Sequence, residues 1–199
     1  MTLPLLATKS LTVALGHRIF CRALDLTVPP GRLIAVLGPN GAGKTLLLHT
    51  LAGLRPPTGG TLLLEGRPYA AWSGDEAARC RGLLTQQQSD FFDSSVLETA
   101  LIGRHPHLGR WGWESAHDLK IARSALIATG LEGLETRSVL SLSGGERQRV
   151  ALAALLAQQP RLFLLDEPLN HLDLHYQMAM LDLFKRLTSE QRSIVLVMH

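Results

Sequence analysis

Eight consecutive residues have the types and spacing of a phosphate-binding loop, and they read Gly38-Pro39-Asn40-Gly41-Ala42-Gly43-Lys44-Thr45. Glycines let the backbone curl so that successive N–H groups face one point, and a helix that begins here adds the positive end of its dipole. In this pattern the lysine reaches the β- and γ-phosphates of a nucleotide, and the Ser/Thr hydroxyl ligates Mg²⁺. The alternative, a glycine turn with an incidental lysine, rarely matches the whole pattern. The sequence therefore predicts that all eight residues bind nucleotide and that Thr45 also binds Mg²⁺.

Two adjacent acids follow a short apolar run at 162–165. Such a run is typical of a buried parallel strand, and α/β sheets place their ligands at the carboxyl ends of their strands. We expect Asp166 to contact Mg²⁺, and Glu167 to orient or deprotonate an attacking water. The alternative is that the two acids cap a helix that begins at Pro168. The phosphate loop in the same chain favours the catalytic interpretation.

A third pattern, Ser143-Gly144-Gly145-Glu146, precedes an apolar-periodic helix. A capping box explains the serine and the glutamate. It does not explain two glycines in the first turn, each of which costs up to about 1 kcal/mol of helix propensity. Bare N–H groups at a helix start bind anions. We therefore expect Ser143, Gly144 and Gly145 to contact a phosphate.

The elements that must position these groups follow a β-rich, then α-rich, then β-α-β order. Two short strands are predicted within 10–28 with a turn at Gly16, and further strands at 33–37, 61–65, 82–85, 162–165 and 194–198. Helices are predicted from the phosphate loop to about Leu51, from a capping box at Ser73, and at 95–102, 115–129, 144–158 and 174–187. This order predicts an α/β nucleotide-binding core with a helical insertion rather than two independent domains.

The composition favours a soluble globular protein, because 46% of the residues are hydrophobic and 19% are charged. No apolar run approaches the ~18 residues that span a bilayer, and the first residues lack signal-peptide features. Cys21 and Cys80 form no metal-binding or disulfide pattern, which is typical of the reduced cytosol. We interpret the net charge of +3 as surplus arginines on a solvated face rather than as a nucleic-acid site.

Residues 142–146, Leu-Ser-Gly-Gly-Glu, resemble the signature motif of ABC nucleotide-binding domains. The resemblance covers essentially the whole chain, with the motifs in the family's order. It implies a P-loop NTPase with a RecA-like core, an N-terminal antiparallel β subdomain and an inserted α-helical subdomain. Within a single domain, C-terminally incomplete, 1–87 and 160–199 would form the core with the β subdomain, and 88–159 the helical subdomain. ATP and Mg²⁺ are the cofactors implied.

The resemblance also assigns roles to residues that spacing alone leaves open. Gln86 resembles the Q-loop glutamine, which touches Mg²⁺ and the attacking water, and His199 stands where the switch histidine is expected. Residues 170–173, Asn-His-Leu-Asp, resemble the D-loop, with Asp173 near the nucleotide. In the family two domains pair head-to-tail, so that 143–145 would contact the γ-phosphate held by Lys44 of the partner. Glu167, Gln86 and His199 are thus the expected catalytic residues.

Three features depart from the family's pattern. Leu15 stands where the family commonly has an aromatic residue that stacks on adenine, which puts base preference in doubt. The D-loop more often reads Ser-Ala-Leu-Asp. The chain stops at His199, where relatives continue, so the strand at 194–198 is expected to be central yet to leave an exposed apolar edge. We therefore expect the 199-residue chain, made alone, to be marginally stable, aggregation-prone and nearly inactive as an ATPase.

The segments 66–73 and 103–113 resemble the ATPase subunits of iron–siderophore, haem and cobalamin importers. In such proteins 91–113 occupies the place where a membrane permease docks. The resemblance implies ATP hydrolysis coupled to uptake, on the cytoplasmic inner face of the cell membrane, with a substrate-binding protein as an indirect partner. One alternative is a soluble ABC ATPase of translation or DNA repair, although such proteins usually carry two domains or a long coiled coil. Another is a truncated product that binds ATP without hydrolysing it.

Histidines and tryptophans in this segment leave alternatives open. His105, His107 and His117 could form a metal site, but histidines without acidic or cysteine neighbours are more often solvated. Trp111 and Trp113 are equally consistent with core anchors and with partner anchors.

Overall fold

The computed structural model describes residues 3–85, 93–109, 112–170 and 172–198. The strands in this part of the chain are β1 (Leu6–Leu15), β2 (Arg18–Val28), β3 (Leu33–Leu37), β4 (Gly59–Leu64), β5 (Arg67–Pro68), β6 (Arg81–Leu84), β7 (Leu162–Asp166) and β8 (Ser193–Met198). The α-helices are α1 (Lys44–Leu51), α2 (Gly74–Cys80), α3 (Val96–Ile102), α4 (Ala116–Ala128), α5 (Gly144–Gln158) and α6 (Leu174–Ser189). Short 3-10 turns occur at Tyr69–Ala71, His105–His107 and Val139–Ser141.

The strands form two four-stranded sheets. One is antiparallel in the order β2-β1-β4-β5, and the other is parallel in the order β3-β8-β7-β6. The predicted α/β class with an N-terminal antiparallel sheet is thereby confirmed. The prediction of two short strands within 10–28 is wrong in length, because β1 already begins at Leu6. Leu5 and Leu6 are almost fully buried, and that burial extends the hairpin beyond its polar middle.

The parallel sheet carries the most buried segments of the protein. All five residues of β7 and the first five of β8 are buried. The strand predicted at 194–198 is central, as expected, because it pairs with β3 on one side and with β7 on the other. Among the described residues the edge strands of this sheet are β3 and β6. In β3, Leu33 and Leu37 keep 44% and 69% of their surface in contact with solvent.

Serine-capped helices make up the segment between β6 and β7. Ser95, Ser115 and Ser143 each accept a hydrogen bond from the third residue of their helix, whose acidic side chain bonds back to the serine N–H. One apolar cluster joins α3, α4 and α5 to β7, β8 and α6, so these helices share a core with the parallel sheet. The subdomain boundaries at 87/88 and 159/160 remain a prediction.

A buried ion pair fastens this helical segment together. Arg104 Nε lies 2.8 Å from Asp118 Oδ1, and the two side chains are only 5% and 10% exposed. Arg104 also donates to the carbonyl of Ala157 at 2.8 Å, which ties the end of α3 to the end of α5. Hydrogen bonds from the Ser115 hydroxyl and from Arg104 hold the pKa of Asp118 well below its usual range. The pair is therefore charged and satisfied at neutral pH.

Candidate nucleotide-binding site

The phosphate loop connects the end of β3 to the start of α1. Gly41 and Gly43 have φ angles of 74° and 87°, in the left-handed region that side chains disfavour. A Cβ on Gly43 would also lie 2.4 Å from the ring of Phe20. No side chain caps α1 in the described chain, whereas a serine or aspartate caps each of the helices from α2 to α6. The first N–H groups of α1 are therefore available to an anion.

Lys44 closes the mouth of this loop. Its Nζ donates to the carbonyls of Gly38 at 2.7 Å and Pro39 at 3.0 Å, and the residue is 9% exposed. The ion pairs among the described residues do not include Lys44. A buried ammonium that is held only by carbonyls has no counter-charge among the described residues, and an anionic ligand would supply one. Thr45, the next residue, is exposed in the first turn of α1.

The predicted carboxylates follow the carboxyl end of β7, at the same end of the parallel strands as the phosphate loop. The phosphate loop follows β3 and Asp166 ends β7, with β8 between them, so the two strand ends are about 10 Å apart at a strand spacing of ~4.8 Å. Asp166 is completely buried, and neither of its carboxylate oxygens accepts a hydrogen bond from the part of the chain that the structure describes. A buried carboxylate without a partner is costly. A hard cation would satisfy it, and Mg²⁺ takes oxygen ligands of the kind that Asp166 and Thr45 provide.

Glu167 is held by its backbone in an unusual conformation. Its φ is 51°, in the left-handed region, and its N–H donates to the carbonyl of Val197 at 3.0 Å. The residue is 7% exposed, and Asn170 Nδ2 donates a hydrogen bond to Glu167 Oε2. Left-handed residues other than glycine cluster at functional sites, where the surrounding structure compensates the strain. Glu167 therefore has the placement expected of a group that orients water.

The first of the two glycines at the start of α5 faces open space among the described residues. Ser143 is the N-cap: its N–H donates to Glu146 Oε2 at 2.8 Å, and its hydroxyl accepts from the Glu146 N–H at 3.2 Å. These contacts also lower the pKa of Glu146, first through the Ser143 N–H and then through its hydroxyl. A Cβ on Gly144 would meet nothing within 4 Å. Packing against the described residues thus does not require glycine at this position, and a ligand or a partner surface would account for it.

Several expected site residues have other surroundings or are not described. Asp173 is the N-cap of α6, and its carboxylate accepts from the Tyr176 N–H at 3.0 Å, a structural role that the D-loop resemblance did not predict. Gln86, His171 and His199 lie outside the described residues. Their roles at Mg²⁺, in the D-loop and as switch histidine stay predictions.

A cavity of about 330 Å³ opens beside the phosphate loop. Its lining includes Leu15, Phe20, Thr45, His49 and Arg55. Leu15 is 55% exposed, so its side chain is available to a base but supplies no aromatic face. Phe20 supplies the aromatic surface, and His49 Nε2 is buried without a hydrogen-bond partner among the described residues.

Phe20 itself is braced by a neighbouring cation. The guanidinium of Arg18 lies 4.7 Å from the centre of the Phe20 ring and donates to the carbonyl of Gly41 at 3.2 Å. The sequence interpretation missed Phe20 because only the hairpin register brings it to the loop. The signal that could have found Phe20 is that an aromatic residue occurs in a strand that is largely exposed to solvent.

The structure addresses part of the alternatives that the sequence left open for the histidines and tryptophans. His107 donates through Nε2 to the carbonyl of Gln158 at 2.8 Å, and in the described chain no three His, Cys, Asp or Glu side chains come together as metal ligands. Trp113 is 88% exposed, so the core interpretation is wrong for this residue. Trp111 is outside the described residues. No helix in the described ranges is long and apolar enough to cross a membrane.

An open phosphate loop after one parallel strand and a buried carboxylate after another define a P-loop nucleotide-binding domain. The chain belongs to the ABC transporter family, whose model matches residues 21–170. It is 43% identical over 183 residues to the hemin import ATP-binding protein HmuV of Myxococcus xanthus, covering 88% of this chain and 68% of that protein. It is 40% identical over 183 residues to the ABC transporter ATP-binding protein YvrA of Bacillus subtilis. That match covers 92% of this chain but only 41% of YvrA, so the chain spans less than half of that relative.

Solved structures agree with this membership. A metal-chelate type ABC transporter in an inward-facing conformation superposes with a TM-score of 0.83 at 32% identity, covering 100% of this chain and 74% of that one. A dimeric ATP-binding cassette bound to ADP and Pi, in a post-hydrolysis state, superposes with a TM-score of 0.84 at 26% identity. The latter match covers 98% of this chain and 88% of the other. The predicted P-loop NTPase fold is confirmed.

Proposed function

We propose that this chain is the ATP-binding and ATP-hydrolysing subunit of an ABC importer that energises the uptake of a metal chelate, an iron–siderophore complex, haem or cobalamin. One observation carries the catalytic part. Among the described residues, Lys44 has no carboxylate partner and the buried Asp166 carboxylate accepts no hydrogen bond, and both lie at the carboxyl ends of strands of the parallel sheet. MgATP supplies the opposite charge to each of them. Relatives named for hemin and cobalamin import support the transport part.

The proposed hydrolysis follows from the charges of the site. Lys44 exchanges its two carbonyl acceptors for β- and γ-phosphate oxygens, and the uncapped start of α1 adds backbone donors. Asp166 and Thr45 would hold Mg²⁺, which neutralises charge that develops on the phosphates. Glu167 accepts a hydrogen bond from the attacking water and aligns it with the γ-phosphate. Gln86 and His199 complete the proposed catalytic set.

The second half of the site is proposed to come from another copy of the chain. Gly144 faces open space, so a phosphate held by a partner can approach the start of α5. Asp173 would reach the same interface from the start of α6. The solved structure of a dimeric cassette with ADP and Pi supports a dimer.

The remaining partners are the transmembrane permease and, through it, a substrate-binding protein, which places the chain at the cytoplasmic face of the membrane. Trp113 is the exposed aromatic side chain of the segment proposed to dock the permease. Aromatic anchors of this kind are frequent in protein interfaces. No nucleic-acid partner is proposed.

The catalytic part is tested by comparing ATP binding with ATP turnover. Glu167→Gln should leave nucleotide affinity intact, reduce turnover to a small residual rate and trap an ATP-bound dimer. Lys44→Ala should weaken binding itself. Lys185→Ala and Glu190→Gln are matched controls, because both side chains lie on the solvent face at the end of α6. Turnover by Glu167→Gln at the native rate would contradict the assignment.

The transport part needs a separate measurement. Proteoliposomes that contain the permease together with this chain should take up haem, an iron–siderophore complex or cobalamin only when ATP is inside the same compartment as the chain. The Glu167→Gln protein should support no uptake. ATP turnover that is never coupled to uptake of any of the three would leave a soluble ATPase as the better interpretation.

A further inference from the structure

We infer that Asn170 is a positioning residue for Glu167 within the same chain, an inference that rests on the proposed ATPase activity. The side chain of Asn170 donates through Nδ2 to Glu167 Oε2. Its backbone N–H donates to the carbonyl of Glu167 at 3.2 Å. Two hydrogen bonds therefore close the turn 167–170, one through the backbone and one through the carboxylate.

The backbone of Glu167 is already fixed before Asn170 acts. Its left-handed φ of 51° and the bond from its N–H to Val197 set the direction in which the side chain leaves the strand. What remains free is rotation about the side-chain bonds, because a glutamate keeps several staggered rotamers. The Asn170 amide selects among them by holding one carboxylate oxygen.

The chemistry of an amide suits this task. The Asn170 NH₂ group donates but carries no charge, so it orients the carboxylate without neutralising it. A carboxylate offers about four lone-pair sites, so a bond to Asn170 occupies one of them and does not by itself prevent the carboxylate from accepting a hydrogen bond from water. Asp166, one residue earlier, has no hydrogen-bond donor of this kind among the described residues. The two adjacent acids therefore have different surroundings: Asp166 suits a cation ligand, and the carboxylate of Glu167 is oriented by Asn170.

The identity of residue 170 matters for the reach of the donor. The related D-loop motif more often has serine at this position, and a serine hydroxyl lies one bond closer to the backbone than the amide nitrogen of asparagine. A different side-chain length moves the donor by more than 1 Å, and misplacements of that size at a reacting group cost up to ~100-fold in rate. We therefore expect Glu167 to be tuned to asparagine in this chain.

A second contact holds the same segment without touching Glu167, and it supplies the control. Gln177 on α6 donates through Nε2 to the carbonyls of Leu172 at 3.1 Å and Leu169 at 3.4 Å. Gln177→Ala therefore loosens the backbone of the segment but keeps the amide bond to the carboxylate. Asn170→Ala removes the amide bond to the carboxylate but keeps the backbone contacts that Gln177 makes.

The test measures kcat, KM and ATP affinity for Asn170→Ala, Asn170→Asp, Asn170→Ser and Gln177→Ala. In Asn170→Ala we expect kcat to fall roughly tenfold or more, the value of one hydrogen bond to a charged group, with KM and affinity within about twofold. Asn170→Asp should fall further, because a like charge then faces Glu167. Asn170→Ser should recover part of the loss, and Gln177→Ala should keep kcat within about threefold.

A double variant separates positioning from general loosening. In a Glu167→Gln background, Asn170→Ala should lower the residual turnover by less than about twofold, because the carboxylate it serves is gone. An equal loss in both backgrounds, native kcat in Asn170→Ala, or the same loss in Gln177→Ala would each overturn the inference.

Failure of the proposed ATPase activity would be recognised separately, because Glu167→Gln would then turn over ATP at the native rate. The inference is then decided by crystal structures of the native and Asn170→Ala proteins. A Glu167 carboxylate on the Asn170 amide in the first, and displaced in the second, supports it. A native carboxylate that points away from Asn170 refutes it.

Discussion

The phosphate loop contains two left-handed glycines that differ in one respect, and this difference predicts the cost of replacing each. Gly41 and Gly43 both have φ near 80°, at 74° and 87°. A Cβ on Gly41 would meet nothing within 4 Å, whereas on Gly43 it would lie 2.4 Å from the Phe20 ring and 2.7 Å from the Phe20 Cβ. Rotating the ring relieves the first overlap but not the second.

The two alanine variants should therefore lose different amounts of free energy of unfolding. The left-handed conformation alone costs alanine about 1–2 kcal/mol, which is the whole loss expected for Gly41→Ala. Overpacking against Phe20 adds a further 1–3 kcal/mol or so, and Gly43→Ala should lose about 2–5 kcal/mol. In Gly43→Ala the overlap with Phe20 is thus expected to cost about as much free energy of unfolding as the left-handed backbone conformation does.

Urea denaturation of the nucleotide-free protein measures these losses without involving phosphate binding. The double variant Gly43→Ala with Phe20→Gly is the decisive sample, because glycine removes both the ring and the Cβ that the new methyl group would overlap. Without them Gly43→Ala should cost no more than Gly41→Ala, so the cycle should give a coupling of about 1–3 kcal/mol. Equal losses for both glycines in the native background, or a coupling near zero, would refute the role of Phe20 in fixing this loop.

Three further predictions concern other parts of the protein. Phe20→Ala should weaken ATP affinity about tenfold, the value of one base–aromatic stack, and more than Leu15→Ala does; equal effects in fluorescent-nucleotide titrations would contradict the assignment of the aromatic surface. Arg104→Met should lower the free energy of unfolding by up to about 3–5 kcal/mol at neutral pH, because the buried Asp118 carboxylate then keeps its Ser115 hydrogen bonds but loses its counter-charge. Because the folded-state pKa of Asp118 is depressed, its contribution is present above the ordinary pKa of about 3.8 and is lost as the pH falls below it, so the gap between Arg104→Met and native protein should narrow in acid. Ser143→Arg should block turnover by steric and charge effects at the dimer interface while the ATP affinity of the monomer stays unchanged; a parallel loss of affinity would place 143–145 in the chain's own site.

Local patterns predicted the helices and the charged groups well. The helices predicted at 95–102, 115–129 and 144–158 agree with α3, α4 and α5 to within one residue at each end, because serines mark where they begin. Asp166 and Glu167 lie at the end of β7, as expected, because a short apolar run followed by acids has few other solutions. These features depend on residues close together in the sequence.

Contacts between distant residues were not predictable in the same way. Phe20 reaches Gly43 only through the hairpin register and the packing of two sheets, and neither appears in residue spacing. The bond between Asn170 and Glu167 depends on a left-handed backbone at Glu167, which glutamate rarely adopts. The position of β3 at the sheet edge follows from strand order rather than from the apolar content of the strand, which resembles that of the buried β7.

The edge position of β3 has a consequence for the protection of its amides against hydrogen exchange. Among the described residues β3 pairs with β8 alone, and it delivers the phosphate loop directly from its end. Its outward-facing amides should exchange faster than those of β8, which is bonded on both sides, so the phosphate loop follows an edge strand that opens more readily than the central strands of the parallel sheet. A ligand that binds the loop stabilises only the closed strand, and every opening of β3 must then release that ligand. Occupancy of the nucleotide site and the lifetime of the sheet edge are therefore a single linked equilibrium.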